Sequence, residues 1–312
     1  MTATLPPVRP GRAITGMAAV LLPFTAGGDI DWRGFEGHVA RTVECGLVPA
    51  VNMDTGFGSR LEPRERRRVL DVARVHGSFV GGAYIDDTPG APFDREGYRQ
   101  ALHEIASAGG TPIVFPSWGL HGLPEAEVAS AFAALAPAVD RFLAFELGEM
   151  FAPQGRVFTA ATFRALLDVP QCVGAKHSSL SRELEWERLT VRDAHRPDFM
   201  VLTGNDRAID MVMYGSDYLL GLATFAPDWF AVRDRSWAKG EPAFFAQNDV
   251  LQYLGQFAFR DPVPAYRHSA AQFLHLRGWI DADATHPSSP RRPDSDRAVL
   301  TELRDRAAPV FT

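Results

Sequence analysis

The sequence has 312 residues, of which 46% are hydrophobic and 22% are charged, and its formal net charge is −6 at pH 7. These proportions are typical of a folded globular protein and argue against general disorder. Acidic and basic residues are interspersed along the chain and form no basic stripe, which argues against a nucleic-acid partner. The arginines within 288–297 are interrupted by aspartates, prolines and serines, so we interpret this stretch as a solvated loop.

The cysteine content and the N-terminal residues indicate the cellular compartment of the protein. Cys45 and Cys172 lie in apolar surroundings and are too few for a disulfide framework, which favours a reduced, cytoplasmic setting. The first 12 residues carry three prolines and two arginines but no apolar segment of a secretory signal. No later segment reaches the roughly 18 apolar residues that would cross a bilayer, so we expect neither export nor membrane insertion.

Short β-rich runs recur about every 25 to 35 residues, separated by longer stretches with helical periodicity. This alternation predicts parallel strands joined by crossover helices. The eight predicted strands are 16–24, 47–53, 78–84, 111–115, 141–147, 171–176, 199–204 and 218–223. Eight such units within about 235 residues predict a closed (β/α)8 barrel rather than an open doubly wound sheet.

The first two helices carry recognisable end signals. Helix 31–46 begins at Asp31, a suitable N-cap, and stops at Gly46. Helix 62–77 has Pro63 in its first turn and Gly77 just past its end.

After about residue 235 the strand pattern ends, and 241–259, 264–279 and 294–311 are predicted to be amphipathic helices. We therefore divide the chain into an N-terminal arm (1–14), a barrel (15–235) and a C-terminal helical region (236–312). The last region is rich in aromatic residues, which either cover the barrel or form a subunit interface. They are Phe244, Phe245, Tyr253, Phe257, Phe259, Tyr266 and Phe273.

Active sites of (β/α)8 barrels form at the carboxyl ends of the strands. Lys176 ends the sixth predicted strand, and alternation places it on the same face as Cys172 and Gly174, pointing into the barrel mouth. Burial there would lower the pKa of the lysine and favour the neutral amine, which attacks carbonyl groups to form a Schiff base. The alternative is a structural ion pair of Lys176 with Asp54 or a nearby glutamate.

Four segments, 16–39, 51–70, 173–179 and 201–221, occur in the order and spacing of known motifs. Together they resemble the superfamily of dihydrodipicolinate synthase and N-acetylneuraminate lyase, over roughly residues 15 to 235. The resemblance implies a class I, Schiff-base lyase acting on pyruvate or another 2-oxo acid, without a cofactor, in a homo-oligomer such as a dimer or tetramer.

The resemblance also assigns roles to individual positions. Lys176 is the Schiff-base lysine, and Thr55 with Gly56 holds the substrate carboxylate. Gly204 lies where the chain passes close to the bound carbonyl carbon, and Leu220 lies where a backbone carbonyl lines the pocket.

Departures from the family pattern concern proton transfer. Phe145 occupies the position of the family's proton-shuttling tyrosine, and a phenyl ring cannot donate a proton. Asp54 replaces the first threonine of the loop after the second strand. The synthase's arginine has no clear counterpart, since the stretch around Arg156 cannot be aligned. The chain is therefore not expected to be the lysine-biosynthetic synthase.

Another acid/base group must replace the tyrosine. The candidates are Asp54 first, then Glu149 and His121, with Glu146 and His177 also considered. The loop 115–122 is expected to recognise the rest of the substrate through Ser117 and Trp118. The resemblance implies a 2-oxo acid, such as pyruvate or a keto-deoxy sugar acid, but does not identify it.

Two alternatives to a Schiff-base aldolase or dehydratase stay open. One is a barrel without lyase activity that binds a small acid as a regulatory or binding protein. The other is a hydrolase or decarboxylase that uses Asp54, Glu149 and His121 without an imine. No metal-ligand spacing, nucleotide-binding loop or serine-hydrolase motif is found, so neither a metal nor a cofactor is expected.

Overall fold

The computed structural model describes residues 6–311, and its sheet is a closed barrel of eight strands, each parallel to its neighbours, in the order β1 to β8. This confirms the predicted (β/α)8 barrel. Each strand overlaps its predicted run. The strands are β1 Gly16–Ala19, β2 Val48–Val51, β3 Val80–Ala83, β4 Thr111–Val114, β5 Phe142–Leu147, β6 Cys172–Ser178, β7 Met200–Thr203 and β8 Asp217–Leu220.

Helices follow the strands and continue after the barrel. They are α1 Trp32–Glu44, α2 Pro63–Val75, α3 Arg95–Ser107, α4 Trp118–His121, α5 Glu125–Leu135, α6 Ala160–Leu166, α7 Arg182–His195, α8 Pro227–Lys239, α9 Ala243–Ala258, α10 Tyr266–Leu276 and α11 Asp296–Ala307. The predicted N-cap is present, since the Asp31 carboxylate accepts a hydrogen bond from the Gly34 N–H at 2.9 Å. Gly46 and Gly77 take positive φ values just after α1 and α2, as their positions predict.

Strand alternation separates the apolar side chains into two layers. One layer lies between the strands and the helices, and it is the larger. The other fills the inside of the barrel with residues such as Met17, Ile113, Leu143, Phe145 and Leu202. Because this inner layer is packed, the space available for a ligand lies above it, at the carboxyl ends of the strands.

A β-bulge in β6 changes which residues face inward. Phe142 pairs with Cys172, but the next residue, Leu143, pairs with Gly174, so Val173 is an extra residue in β6. Cys172 therefore packs in the outer layer, and Val173 packs against the inner one. The prediction that Cys172 shares a face with Lys176 is wrong, because strict alternation holds only beyond the bulge.

The C-terminal helices cover the barrel with part of their aromatic surface. Phe244, Phe259, Tyr266 and Phe273 are buried, whereas Phe245 and Tyr253 are 54% and 61% exposed. The helix α8 runs past residue 235, where we placed the end of the barrel, to Lys239. Within residues 6–311, no helix is long and apolar enough to cross a membrane.

Candidate active site

A small cavity opens where the carboxyl ends of β2, β5, β6, β7 and β8 meet the C-terminal helices. Phe151, Phe259 and Leu147 form part of its apolar wall, and Gly204 and Gly221 bring the backbone close. Its polar side chains are Asp54, Thr55, Lys176, Ser178, Asp206 and Tyr266.

Lys176 is one of two lysines in the sequence, and its side chain is buried in this cavity. Its Nζ atom lies 4.2 Å from the centroid of the Phe145 ring. Burial lowers the pKa of Lys176, and this outweighs the nearby charges of Asp54 and Asp206, which raise it. Among the described residues no carboxylate oxygen lies within 4.0 Å of Nζ, so Lys176 forms no direct ion pair. Burial therefore favours the neutral amine, which is the form that attacks carbonyl groups.

The backbone at Gly204 leaves room for the Lys176 side chain. A Cβ atom at this position would lie 2.8 Å from Lys176 Cε and would also overlap Ser178 Oγ. The Gly204 N–H donates to the His177 carbonyl at 2.8 Å, which fixes the end of β7 against β6. Only glycine therefore fits beside the amine in this arrangement.

The loop after β2 carries Asp54 and Thr55 into the cavity, where both meet a side chain from α10. The Tyr266 hydroxyl donates to Asp54 Oδ2 at 2.9 Å, and it lies 2.8 Å from Thr55 Oγ1. The next residue, Arg267, donates to the Asp54 backbone carbonyl at 2.9 Å. The C-terminal helical region is thus part of the cavity wall and not only a cover for the barrel.

The same loop is conformationally strained. Phe57 has a φ of 58°, in the left-handed region that bulky residues rarely adopt, whereas Asn52, at 52°, belongs to a residue type that tolerates this region. The Gly56 N–H, expected to hold a carboxylate, donates instead to the Met53 carbonyl at 3.1 Å. Thr55 lines the cavity and Gly56 does not, so of this predicted pair only Thr55 presents a hydrogen-bond donor to the cavity.

Asp206 is a site residue that the sequence reasoning did not select. Burial raises the pKa of its carboxyl group to about 7, although the Leu222 N–H, which donates to Oδ1 at 2.6 Å, lowers it. The sequence indicated it only by position, because Asp206 follows β7 closely and active sites of barrels form at the carboxyl ends of the strands. Tyr266 had no such signal, because it lies on a helix outside the barrel repeat.

Several residues expected at the site lie away from this cavity. Glu149 is exposed, and His121 directs Nδ1 at the Gly155 carbonyl, 3.0 Å away. Ser117 caps α4 by accepting from the Leu120 N–H at 3.1 Å. The backbone N–H of Trp118 donates to Asp87 at 2.9 Å. None of these four candidates contributes to the cavity wall, and their predicted roles stay predictions.

The side chains of Leu220 and Arg156 make contacts outside the cavity. The Leu220 side chain lies in the outer apolar layer at the end of β8, so only its backbone is available to the barrel mouth. Arg156 donates to the carbonyls of His121 and Leu123, at 3.0 and 2.6 Å, and pairs with Glu125. These bonds join the loop after β5 to the loop after β4.

Glu146 and His177 face the helices and not the cavity. His177 Nδ1 lies 2.8 Å from Glu146 Oε2, and Arg188 from α7 pairs with the same carboxylate at 2.9 Å. Burial alone would raise the pKa of Glu146, but His177 and Arg188 together lower it to about 2. This cluster anchors α7 to the barrel, and its carboxylate is not positioned to act on a ligand in the cavity.

Within residues 6–311, no group of three or more histidine, cysteine, aspartate or glutamate side chains is placed to hold a metal ion. The chemistry available in the cavity is that of an amine, two carboxyl groups, a phenol and two hydroxyl groups.

Comparisons with known proteins identify the fold. No protein-family model and no curated sequence matches the chain. Solved structures do match over nearly the whole length. YagE, a prophage protein of the dihydrodipicolinic acid synthase family from E. coli K12 in complex with pyruvate, is 20% identical, with a TM-score of 0.79 over 95% of this chain and 98% of that one.

Two further matches are enzymes. The chloride-inhibited dihydrodipicolinate synthase of Acinetobacter baumannii, complexed with pyruvate, is 18% identical, with a TM-score of 0.76 over 95% of this chain and 99% of its own. The sialic acid aldolase of Ruminococcus gnavus is 15% identical, with a TM-score of 0.78 over 95% and 98%. The chain therefore has the fold of these proteins, including the helices that follow the barrel.

Proposed function

We propose that the chain is a divergent member of the dihydrodipicolinate synthase and N-acetylneuraminate lyase superfamily, and that it acts as a class I lyase of the aldolase or dehydratase type. Its substrate would be a 2-oxo acid, whose ketone condenses with the Lys176 amine. The observation that carries the proposal is a buried lysine at the carboxyl end of β6, with its pKa lowered by burial, in a cavity with acid/base groups.

The lysine content of the chain supports this role. The sequence contains 32 lysines and arginines, of which only Lys176 and Lys239 are lysines. Arginine cannot form an imine, because its guanidinium group stays protonated in proteins. Lys239 is 65% exposed at the end of α8, which supports Lys176 as the lysine that reacts in the barrel mouth.

Other side chains of the cavity would position the substrate. Thr55 would bind the carboxylate of the 2-oxo acid by turning its hydroxyl proton from the Tyr266 oxygen to the ligand, and Gly204 leaves the space beside Lys176 Cε in which the imine would form. Asp54 provides a carboxylate for proton transfer. YagE and the A. baumannii synthase, which share the fold, are both complexes with pyruvate, so pyruvate is a suitable first probe.

The site favours this function over a hydrolase or decarboxylase that works without an imine. That alternative needs Asp54, Glu149 and His121 to act together, and only Asp54 lines the cavity. A binding or regulatory role for a small acid uses the same cavity and differs in the absence of a covalent adduct.

Reductive trapping tests the proposal. The protein is incubated with pyruvate and a panel of larger 2-oxo acids, reduced with borohydride and digested for peptide mass spectrometry. We expect an adduct on Lys176 with at least one acid. Lys176→Met should abolish this adduct, whereas Lys239→Met, which removes the exposed lysine, should leave it unchanged.

Other outcomes decide between the functions. Thermal stabilisation by a 2-oxo acid without any adduct would favour a binding protein. Turnover retained in Lys176→Met but lost in Asp54→Ala would favour a reaction without an imine. Either result would contradict the proposed lyase.

A homo-oligomer is also part of the proposal, supported by the resemblance and by the exposed aromatic side chains of Phe245 and Tyr253 on α9. Light scattering coupled to size-exclusion chromatography should give a mass of two or four chains. A monomer at micromolar concentration would contradict this part.

A further inference from the structure

A proton donor is missing from β5, where the family resemblance expects one. Phe145 faces the Lys176 amine at 4.2 Å and offers only a hydrocarbon ring. Dehydration of a carbinolamine and proton transfer at C3 of the substrate both need an acid/base group. A different element supplies a tyrosine hydroxyl, because Tyr266 of α10 lines the same cavity as Lys176.

The Tyr266 hydroxyl is held by a specific set of bonds. Its proton is donated to Asp54 Oδ2 at 2.9 Å. Thr55 Oγ1, 2.8 Å away, then donates its own proton to the Tyr266 oxygen. The three groups form a continuous chain of hydrogen bonds along one wall of the cavity, and such a chain can pass a proton without moving a side chain.

The aromatic ring is fixed as firmly as its hydroxyl. It stacks on Phe259 at 4.3 Å with an interplanar angle of 15°. Gly221 lies against its edge, where a Cβ atom would come within 3.1 Å. Arg267 holds the Asp54 backbone and the Pro264 carbonyl, which ties the start of α10 to the loop after β2. The hydroxyl is therefore preorganised.

Tyr84, a partly buried residue with a buried hydroxyl, is the other tyrosine near Asp54. Among the described residues its hydroxyl has no hydrogen-bond partner, and Tyr84 is not part of the cavity wall. Its ring stacks on Phe115 at 4.1 Å. Tyr84 therefore packs beside the site, whereas Tyr266 has both a partner and access to the cavity.

We propose that Tyr266 and Asp54 form the proton relay of this site and that Tyr266, delivered by the C-terminal helical region, takes the place of the tyrosine absent at Phe145. This inference rests on the proposed Schiff-base function. Tyr266, which lines the cavity with Lys176, would exchange protons with the bound acid, and Asp54 would hold the proton behind it.

The Lys176 ammonium loses a proton, which reaches the Tyr266 hydroxyl through the bound acid, because no hydrogen bond among the described residues joins Nζ directly to Tyr266, and then passes to the Asp54 carboxylate. The neutral amine attacks C2 of the 2-oxo acid, the carbonyl π bond opens, and one amine proton moves to the oxygen. The resulting hydroxyl leaves as water with the proton returned from Asp54 through Tyr266, and the nitrogen lone pair forms the C=N bond. A C3 proton then follows the same route to Asp54 and leaves an enamine.

The electrostatics favour a relay over a free phenolate. Burial and the neighbouring charge of Asp54 raise the pKa of Tyr266 well above its usual range, so the phenol keeps a proton at neutral pH. It can pass a proton only by receiving another at the same time, and Asp54 at 2.9 Å is the group that takes it up.

The test compares two tyrosine-to-phenylalanine variants. Tyr266→Phe removes the proposed relay hydroxyl. Tyr218→Phe is the matched control, because Tyr218 is also buried and its hydroxyl also donates to a carboxylate, Asp234, at 2.8 Å. Pyruvate in D₂O is the probe, or the 2-oxo acid that gives the strongest Lys176 adduct if pyruvate gives none. Exchange of its C3 protons is followed by NMR, and the rate of adduct formation by borohydride trapping.

In Tyr266→Phe we expect the Lys176 adduct to form to the same final extent but C3 exchange to be at least about 10²-fold slower. Tyr218→Phe should stay within about twofold of the unchanged protein. Asp54→Asn should lower exchange similarly, and the double variant should lose little more, because groups that act as one relay are not additive. If Tyr266 has only a structural role, Tyr266→Phe should change the thermal stability or the apparent affinity for the acid. The rate of C3 proton exchange at a saturating concentration of the acid would then stay unchanged.

The outcomes separate this inference from the proposed function. Normal exchange in Tyr266→Phe with a Lys176 adduct overturns the relay and leaves the lyase standing. Absence of an adduct from every acid in the unchanged protein overturns both. Should Tyr266→Phe not fold, Asp54→Asn carries the test, and unchanged exchange in that variant refutes the relay.

Discussion

The Nζ atom of Lys176 lies 4.2 Å from the centroid of the Phe145 ring, so the nucleophile of the proposed reaction faces an aromatic surface and not a hydrogen-bonding side chain. Burial in this setting lowers the pKa of the lysine below its usual value of 10.5. The rate of adduct formation should therefore rise with pH and level off at a lower pH than for a free lysine.

The measurement is borohydride trapping of a saturating 2-oxo acid at a series of pH values, with N-acetyl-lysine amide as the reference amine. A midpoint at or above that of the reference amine would show that burial does not activate Lys176.

Gly204→Ala should disable the nucleophile while preserving the barrel. The new methyl group would lie 2.8 Å from Lys176 Cε, so the side chain must move away. A displacement of about 1 Å at a reacting group costs roughly 10²-fold in rate. We expect adduct formation to slow by about that factor, measured by trapping, with a cooperative thermal transition retained. Gly37→Ala on α1 is the control, because a Cβ atom there meets nothing within 4 Å.

Asp206→Asn should alter the pH dependence of stability. Burial raises the carboxyl pKa from 3.8 to about 7, so the folded state binds the proton more tightly than the unfolded chain. The native protein therefore loses stability as pH rises from about 4 through 7. Asparagine does not ionise and can still accept a hydrogen bond from the Leu222 N–H. The free energy of unfolding of the variant, relative to that of the unchanged protein, should therefore rise by about 1–4 kcal/mol between pH 4 and pH 8.

Urea unfolding at both pH values provides the measurement for Asp206. A stability difference between the two proteins that is independent of pH would mean that Asp206 titrates normally.

Arg188→Met should strongly destabilise the protein. Arg188 and Glu146 are both fully buried and pair at 2.9 Å, so removing the guanidinium leaves a buried carboxylate with His177 as its remaining charged partner. Such a loss costs about 3–5 kcal/mol, seen as a lower urea midpoint. The double variant with Glu146→Gln should recover part of this loss. Asp168→Asn, which removes the exposed pair with Arg164, should change stability by less than about 1 kcal/mol.

If Arg188→Met unfolds at the same urea concentration as the unchanged protein, the buried cluster does not anchor α7. The same variant should keep its Lys176 adduct where it remains folded, because the cluster lies outside the cavity.

The barrel was predictable from the sequence because strand and helix periods repeat eight times, and Lys176 was predictable because a charged residue ends a buried strand. Short-range patterns could not reveal the bulge at Val173, which depends on how β6 pairs with β5. Glu149 and His121 were selected by their positions after strands, but side-chain direction in a loop follows from contacts such as His121 with Gly155. Tyr266 was visible only as one aromatic residue among seven on the covering helices.

The contact of Tyr266 with Thr55 joins residues 211 positions apart in the sequence. Contacts of such separation form late, since closing a long loop costs entropy that only completed packing offsets. A folding chain can therefore assemble its barrel before the cavity has its last wall. Under the proposed chemistry, recovery of C3 proton exchange during refolding would report the docking of α10, whereas circular dichroism would report the barrel, and the two signals should separate in time.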